Sequence, residues 1–102
     1  MVEPLIEIIG TIVVVQPPTF DMRFGQYTQK LILENCLGNN TTEVIPSRIL
    51  VMSKSIDPIP FIVGDPITVK GMFKSLPPGE LSYIYSAHAP QGYIRYKGRI
   101  LR

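Results

Sequence analysis

Apolar and polar residues alternate along much of this chain with the period of two that is typical of β-strands. The clearest case is residues 63–74, VGDPITVKGMFK, where a Gly-Asp-Pro turn precedes a strand. One face of this strand is apolar and consists of Ile67, Val69 and Gly71. The other face consists of Thr68, Lys70 and Met72 and carries the ammonium group of Lys70. A glycine inside a strand commonly marks a bend. We therefore predict a barrel strand with a basic outer face.

Four further segments show strand patterns separated by turn residues. The first is rich in β-branched residues and is expected to bend at Gly10. The third contains Pro46, which cannot donate to a ladder, so we expect an edge or a bulge there. The four segments are residues 5–16, 26–36, 41–52 and 81–88.

Turn residues and prolines predict how these strands are connected. Two prolines open a loop over residues 17–25. Residues 37–40, Leu-Gly-Asn-Asn, are expected to form a hairpin turn because asparagine and glycine tolerate positive φ. Residues 53–63 are too short and too proline-rich for a good helix, so we expect a connector that plugs one barrel end with Ile59 and Phe61.

Five strands with a short connector between the third and fourth predict an all-β fold, a five-stranded OB-fold barrel. Residues 93–101 would add a C-terminal strand or hairpin. At 102 residues the chain is a single domain over residues 1–102. The composition agrees, because 45% hydrophobic residues, ten prolines and eight glycines are typical of a globular chain that turns often.

The formal net charge of +2 is too small to identify a polyanionic partner, but the charges are unevenly distributed. Seven of the eight acidic residues lie at or before Asp65, and Glu80 is the remaining one. Beyond Asp65 the chain carries six cations: Lys70, Lys74, Arg95, Lys97, Arg99 and Arg102. The last third is therefore distinctly basic.

The location of the protein is predicted from what its sequence lacks. Its single cysteine, Cys36, cannot form an internal disulfide, and no signal-peptide pattern is present. The longest apolar run, residues 12–15, is far too short to cross a membrane. We expect a cytoplasmic, nucleoid-associated protein with no membrane partner.

Short motifs in three strands carry a family resemblance. They are Gly10-Thr11-Ile12, the LILE of residues 31–34 and the VGDPITVKG of residues 63–71. In their order and spacing the chain resembles the bacterial single-stranded DNA-binding protein family, and within it the short primosomal members. The resemblance covers residues 5–88.

This resemblance implies an OB-fold in which single-stranded DNA crosses a basic, aromatic-studded sheet face and the hairpin loops. It implies work in replication or recombination, with proteins of those processes as further partners, and assembly as dimers or tetramers. A homodimer is our expectation. The sequence lacks a Gly-rich linker and acidic tip, and it has no tryptophan, so stacking would fall to tyrosine and phenylalanine.

Single-strand binding that tolerates any sequence needs cations for phosphates and aromatic faces for bases. Tyr83 and Tyr85 project from one face of their strand, and residues 93–99 would place a tyrosine and three cations on one face. Strand alternation directs Lys30 and Lys70 outward. The predicted nucleic-acid-binding set is Arg23, Tyr27, Lys30, Lys70, Lys74, Tyr83, Tyr85, Tyr93, Arg95, Lys97 and Arg99.

Each of these assignments has a structural alternative. The two tyrosines of the fifth strand would pack under a loop, and the C-terminal cations would only solvate a terminal strand. Phe24 is a further candidate beside the first loop, while Phe20 is expected to cap the barrel. Tyr96 shares its parity with Ile94 and Ile100, which favours the core.

Catalysis has little support in the sequence. His88 and Cys36 could form a base and a nucleophile, but no third group or flanking signature accompanies them. Metal ligands of the usual spacing and a Gly-rich phosphate loop are also missing. We expect His88 at a strand end or interface, Cys36 buried, and a protein with no enzymatic activity and no cofactor. Alternative functions are a protein-interaction OB module, such as a subunit of a larger assembly, and an RNA-binding OB domain.

Overall fold

A computed structural model of the protein describes residues 4–85 and 91–101 and contains eight β-strands there. Within these residues no helix is formed, and hence none that could cross a membrane. The strands are β1 Leu5–Val15, β2 Thr19–Asp21, β3 Gln26–Asn39, β4 Ile49–Ser55, β5 Pro66–Lys74, β6 Tyr83–Tyr85, β7 Tyr93–Tyr96 and β8 Arg99–Leu101.

Five of the strands close into a barrel in the order β1, β3, β4, β6, β5 and back to β1. Neighbouring strands of the ring are antiparallel, except that β4 and β6 run parallel. Three further strands lie outside the ring, with β2 on β3, β7 on β5 and β8 on β7. This is an OB-like barrel with a C-terminal hairpin, as the sequence predicts.

The barrel interior is filled by the inward residues of each strand. In β5 the predicted alternation is confirmed, since Ile67, Val69 and Phe73 are buried while Lys70 and Met72 point outward. Each fully buried aliphatic or aromatic side chain contributes about 1.5–3 kcal/mol to folding. The core comprises Ile6, Ile8, Ile12, Leu31, Leu33, Cys36, Ile49, Val51, Phe61, Ile67, Val69, Phe73, Ile84, Ile94 and Tyr96.

The predicted bend of the first strand is present at Gly10. The pairing of β1 with β3 shifts register between Ile9 and Thr11, which indicates a bulge at the glycine. A Cβ atom at Gly10 would lie 3.0 Å from Cys36 Sγ and 3.2 Å from Leu33 Cβ. The glycine therefore lets two strands of the ring approach closely where β1 curves.

The second and third strands differ from the prediction. The predicted hairpin turn at residues 37–40 is wrong, because β3 continues to Asn39, which pairs with Glu7 of β1. The third strand starts at Ile49 rather than at residue 41, and Pro46 lies in the preceding loop. Pairing with β1 stabilises the longer β3, and this long-range contact has no local sequence signal.

The connector after β4 plugs the barrel as predicted. Phe61 is buried in the core and Ile59 packs against it. The buried Gln29 of β3 holds the connector in place, because its Nε2 donates to the Ile59 carbonyl at 2.9 Å and its Oε1 accepts the Ile59 N–H at 2.8 Å. Phe20 is not a barrel cap, since it lies on β2 and is 49% exposed.

The chain after β5 forms two short strands and a hairpin. β6 and β7 take consecutive places along one edge of β5, opposite Met72–Lys74 and Thr68–Lys70 respectively. β7 and β8 then pair through a turn at Lys97-Gly98, where both residues have positive φ, 50° and 78°. Two such residues make the primed turn that suits β-hairpins. His88 lies outside the described residues.

Candidate nucleic-acid interface

The outer face of β4, β6 and β5 carries a continuous row of aromatic, apolar and basic side chains. Tyr83 lies opposite Leu50 on one side and Lys74 on the other, and Tyr85 lies between Met52 and Met72. Lys30 of β3 lies opposite Met52. We name this surface the tyrosine band, consisting of Leu50, Met52, Met72, Tyr83 and Tyr85 with Lys30 and Lys74 at its edges.

Tyr83 and Tyr85 project from the same face of β6, as predicted, and their rings contact each other. The ring centroids are 4.7 Å apart and the planes are inclined by 82°. Edge-to-face packing of this kind stabilises an aromatic pair and fixes both rings. Because the rings are nearly perpendicular, they cannot both lie flat against one base, so they are suited to contact two successive nucleotides.

The two tyrosines are flanked by methionines in the register of the sheet. Met52 of β4 and Met72 of β5 are both half-buried and point outward. Thioether side chains adapt to irregular surfaces and contact aromatic rings favourably. The centre of the tyrosine band is therefore apolar and adaptable, and its cations lie at the edges.

A second aromatic and basic cluster lies on the hairpin of β2 and β3. Tyr27 packs against Phe20 with ring centroids 5.0 Å apart. The exposed Arg23 guanidinium lies 5.5 Å from the Phe24 ring centroid and 3.9 Å from Asp21 Oδ1. Arg23 and Tyr27, both predicted site residues, thus belong to the same hairpin, which is separate from the tyrosines of β6.

Lys54 is a functional candidate that the sequence analysis missed. Its ammonium lies 5.3 Å from the centroid of the Phe24 ring. Along β4 it follows Leu50 and Met52 on the outward face, so it joins the tyrosine band to the β2–β3 hairpin. The alternation of β4 would have revealed it, but the predicted strand stopped at residue 52.

Tyr93 and Arg95 point outward from β7, and Lys70 of β5 lies beside them. The Tyr93 hydroxyl donates to Glu7 Oε2 at 2.7 Å, and Asn39 Nδ2 donates to Glu7 Oε1 at 2.6 Å. These two hydrogen bonds, with the Tyr93 bond the larger influence, hold the pKa of Glu7 below its usual value, and the same bond raises the pKa of Tyr93. In the sheet register Lys70 lies opposite both Glu7 and Tyr93.

The prediction that Tyr93, Arg95, Lys97 and Arg99 share one face is wrong, because the segment folds back at residues 97–98. Lys97 lies in the turn, where its Nζ is 3.7 Å from Asp65 Oδ2. Arg99 is on β8, opposite Tyr96. β6 and β7 also do not pair with each other, so the two tyrosine-bearing segments meet only through β5 among the described residues.

Tyr96 lies in the core, as its parity predicts. Its hydroxyl donates to Asp65 Oδ2 at 2.5 Å and accepts the Ile62 N–H at 3.0 Å. Burial, and then the bond to Asp65, raises the pKa of Tyr96. This buried hydrogen-bonded group joins the C-terminal hairpin to the connector.

A groove of about 690 Å³ separates the C-terminal hairpin from the connector after β4. We name it the hairpin groove, formed by residues 53–62 and 92–101. Its walls carry the cations Lys54, Lys97 and Arg99 and the acidic Asp57. Three of the predicted binding residues, Tyr93, Lys97 and Arg99, thus line this groove.

The described residues contain no group of three histidine, cysteine, aspartate or glutamate side chains that could hold a metal ion. Cys36 is buried, and burial raises the pKa of its thiol to about 11. A thiol with such a pKa is protonated at neutral pH and a poor nucleophile.

Strand order and register define an OB-like barrel whose outer face combines aromatic and basic side chains. Comparison with protein-family models, with curated proteins and with solved structures gives no significant match. Function must therefore be argued from the residues of the chain itself.

Proposed function

We propose that this protein binds single-stranded DNA without catalysing a reaction, and that it acts in replication or recombination. The observation that carries the proposal is the tyrosine band, in which Tyr83 and Tyr85 lie between Lys30 and Lys74 on the outer face of an OB-like barrel. The motif resemblance to the primosomal single-strand-binding proteins supports the same assignment.

In this proposal, bases stack on the tyrosines while the edge lysines neutralise phosphates. Each stacked base contributes about 1–3 kcal/mol, and stacking tolerates any sequence because every base has an aromatic face. Neutralised phosphates release counterions, so the affinity falls as salt rises. Four strands of a closed barrel carry the band, which holds these groups in place before the DNA binds.

The bound single-stranded DNA would run from the tyrosine band along β4 towards the β2–β3 hairpin. Met52 and Lys54 continue the outward face of β4, and Phe24 and Arg23 lie beyond Lys54. This path alternates apolar or aromatic surface with cations, which suits a chain of bases and phosphates. Tyr27 would support the hairpin through its contact with Phe20 rather than stack on a base.

Lys70, Tyr93 and Arg95 would contribute less. Tyr93 donates its hydroxyl to Glu7, and the Glu7 carboxylate offsets part of the positive charge of Lys70 and Arg95. The Arg95 guanidinium lies 5.8 Å from the Tyr93 ring centroid. We assign this cluster to the margin of the interface.

A fluorescence titration with oligo-dT at low salt tests the proposal. We expect binding that weakens as salt is added. Absence of binding at protein concentrations on the order of tens of micromolar would refute the proposal, since even non-specific binding lies in this range.

A matched pair of double variants tests the site. Replacing Tyr83 and Tyr85 by alanine removes both stacking faces and should weaken oligo-dT binding at least tenfold, given about 1–3 kcal/mol for each stack. Replacing both by phenylalanine keeps the rings and should preserve most of the affinity. Circular dichroism confirms that each variant is folded. Equal affinity for the wild type and the alanine variant would remove these tyrosines from the site.

RNA binding and protein interaction are the competing functions. The small net charge of +2 favours a protein-interaction module. An RNA-binding domain would use the same aromatic residues and differ through contacts to the 2′-hydroxyl. Titrations with DNA and RNA of one sequence separate the three functions, because a protein-interaction module would bind neither.

We also propose that the protein forms a homodimer. Ile9 of β1 and Leu37 of β3 lie opposite each other on the outer face and are 46% and 71% exposed. Adjacent exposed apolar side chains of this kind favour burial against a second chain. Light scattering that returned a monomer would contradict this proposal.

A further inference from the structure

The hairpin groove lies beside a strand edge that is unpaired within the described residues. β4 pairs with β3 as far as Ser55, but its other edge pairs with β6 only at Leu50–Met52. β8 pairs with β7 along one edge and is the last strand of the sheet. Within the described residues, the outer edge of β8 thus presents main-chain groups without a strand partner. The residues that follow Tyr85 on β6, beside the end of β4, lie outside the described residues.

The residues that line the groove indicate that this edge faces it. Its walls include three consecutive residues of β4, Ser53, Lys54 and Ser55, and all three residues of β8. Successive side chains of a strand point to opposite faces. Contact with all three residues of β8, the last strand of the sheet, therefore indicates that the groove reaches its outer edge.

The side chains of the groove define the chemistry of its occupant. Ile62 and Ile100 line it and are about half exposed, which provides apolar contact surface. Lys54, Lys97 and Arg99 exceed the single acid in the lining, Asp57, so the groove favours negative charge. Arg99 forms no ion pair within the described part of the chain.

We propose that the hairpin groove binds an extended, acidic segment of a partner protein by β-strand addition. The main chain of the segment pairs with the outer edge of β8. Its apolar side chains contact Ile62 and Ile100, and its carboxylates pair with Arg99. Strand addition obtains affinity from main-chain hydrogen bonds and specificity from alternate side chains.

A polypeptide fits these groups better than a nucleic acid does. Free strand edges offer alternating N–H and C=O groups, which another polypeptide main chain matches and a sugar-phosphate chain does not. The Tyr96 ring is buried, and Lys97 already lies 3.7 Å from Asp65. The groove therefore offers one partly exposed aromatic ring, that of Tyr93, and the hydroxyl of this residue is already bound to Glu7.

Fluorescence anisotropy with designed peptides tests the proposal on the unaltered protein. The probe is a short labelled peptide in which glutamate alternates with valine. One control replaces the glutamates by lysine, and a second keeps the acidic sequence but carries N-methyl groups on alternate amides. We expect the acidic peptide to bind and both controls to bind at least tenfold more weakly.

Two outcomes of this peptide experiment would overturn the proposal. One is no detectable binding of the acidic peptide at protein concentrations on the order of 100 µM, which would mean a Kd in the millimolar range or weaker. The other is equal binding of the N-methylated peptide, which would exclude main-chain pairing. Neither outcome depends on a variant that has to fold.

A matched pair of charge reversals locates the binding site. Arg99→Glu should weaken acidic-peptide binding roughly tenfold, the scale of removing a close charge pair, and leave oligo-dT binding unchanged. Lys74→Glu, at the edge of the tyrosine band, serves as the control and should leave peptide binding unchanged. Hydrogen exchange should slow at residues 99–101 when the peptide binds. Displacement of the peptide by oligo-dT, with weaker binding of both ligands to the Arg99 variant, would assign the groove to nucleic acid and refute the proposal.

Discussion

The tyrosine band and the C-terminal hairpin both combine tyrosines with cations, but these groups are differently engaged. In the band, Tyr83 contacts the ring of Tyr85, and Lys30 and Lys74 form no ion pair within the described residues. In the hairpin, the hydroxyls of Tyr93 and Tyr96 both donate to carboxylates, and Lys97 lies beside Asp65. Similar residue types therefore have different capacities to bind a polyanion.

The fold creates this difference by bringing acidic residues to the basic end of the chain. Tyr93 bonds to Glu7, 86 residues away in sequence, and Tyr96 bonds to Asp65, 31 residues away. A count of charges along the sequence separates an acidic first part from a basic last third. Closing the barrel brings Glu7 and Asp65 to the hairpin, whereas Lys30 and Lys74 form no ion pair within the described residues.

The largest effect we expect comes from removing the buried hydroxyl of Tyr96. Tyr96→Phe leaves Asp65 and the Ile62 N–H without their partner, which should lower the free energy of unfolding by about 1–3 kcal/mol. Urea denaturation measures this change. Oligo-dT affinity at low urea should remain at the wild-type value, because the tyrosine band makes no contact with this hydrogen bond. A loss of oligo-dT affinity in a folded variant would show that the two regions are coupled.

The second prediction compares the cations of the two regions through salt dependence. Replacing Lys30 and Lys74 by alanine should make the slope of log K against log salt shallower, by about 0.7 for each phosphate that is no longer neutralised. Lys97→Ala, matched in chemistry, should leave that slope unchanged because Lys97 already lies beside Asp65. Titrations with oligo-dT at several salt concentrations provide the slopes. Equal changes for both substitutions would contradict the distinction between band and hairpin.

Much of the fold could be predicted because its main signals are local. The alternation over Ile67, Val69 and Phe73 marks β5 without reference to any other strand. Gly10 marks a bend because a glycine inside a β-branched strand is itself a signal of a bend or bulge. Tyr96 could be assigned to the core from its parity with the buried Ile94, whereas Ile100, which was grouped with them, lies beyond the turn and is about half exposed.

The remaining errors concern pairing between distant segments. The extension of β3 to Asn39 depends on its pairing with β1, and the start of β4 at Ile49 depends on its pairing with β3. For the candidate site, the outward direction of Lys30, Tyr83 and Tyr85 followed from alternation. Their assembly into one surface depends on the parallel pairing of β4 with β6, which local pattern does not specify.

The third prediction concerns Lys54, which belongs to both regions. It continues the outward face of β4 towards Phe24 and also lines the hairpin groove. Lys54→Met keeps an extended side chain but removes the charge, so it should weaken both oligo-dT and acidic-peptide binding by about three- to fivefold, the scale of one exposed charge pair. Titrations with oligo-dT and with the acidic peptide measure both effects, with Lys74→Met as a control that should affect oligo-dT alone. An effect of Lys54→Met on one ligand only would assign this residue to one region.

The smallest expected effect is on the pH dependence of stability, through the Tyr93 bond to Glu7. Because this bond holds the pKa of Glu7 below its usual value of 4.5, its contribution to stability is present above pH 4.5 and is lost as pH falls through the lowered pKa. The raised pKa of Tyr93 has the opposite consequence at alkaline pH, where the contribution is lost as pH rises beyond the usual tyrosine value of 10.0. Urea denaturation of the wild type and Tyr93→Phe should therefore show a difference in the free energy of unfolding near neutral pH that shrinks towards acidic and alkaline pH.

Tyr83→Phe, which removes a hydroxyl without a carboxylate partner in the described residues, is the control. Its free energy of unfolding should differ from that of the wild type by a constant amount. A constant difference for Tyr93→Phe as well would mean that the C-terminal hairpin is held to β1 by packing alone.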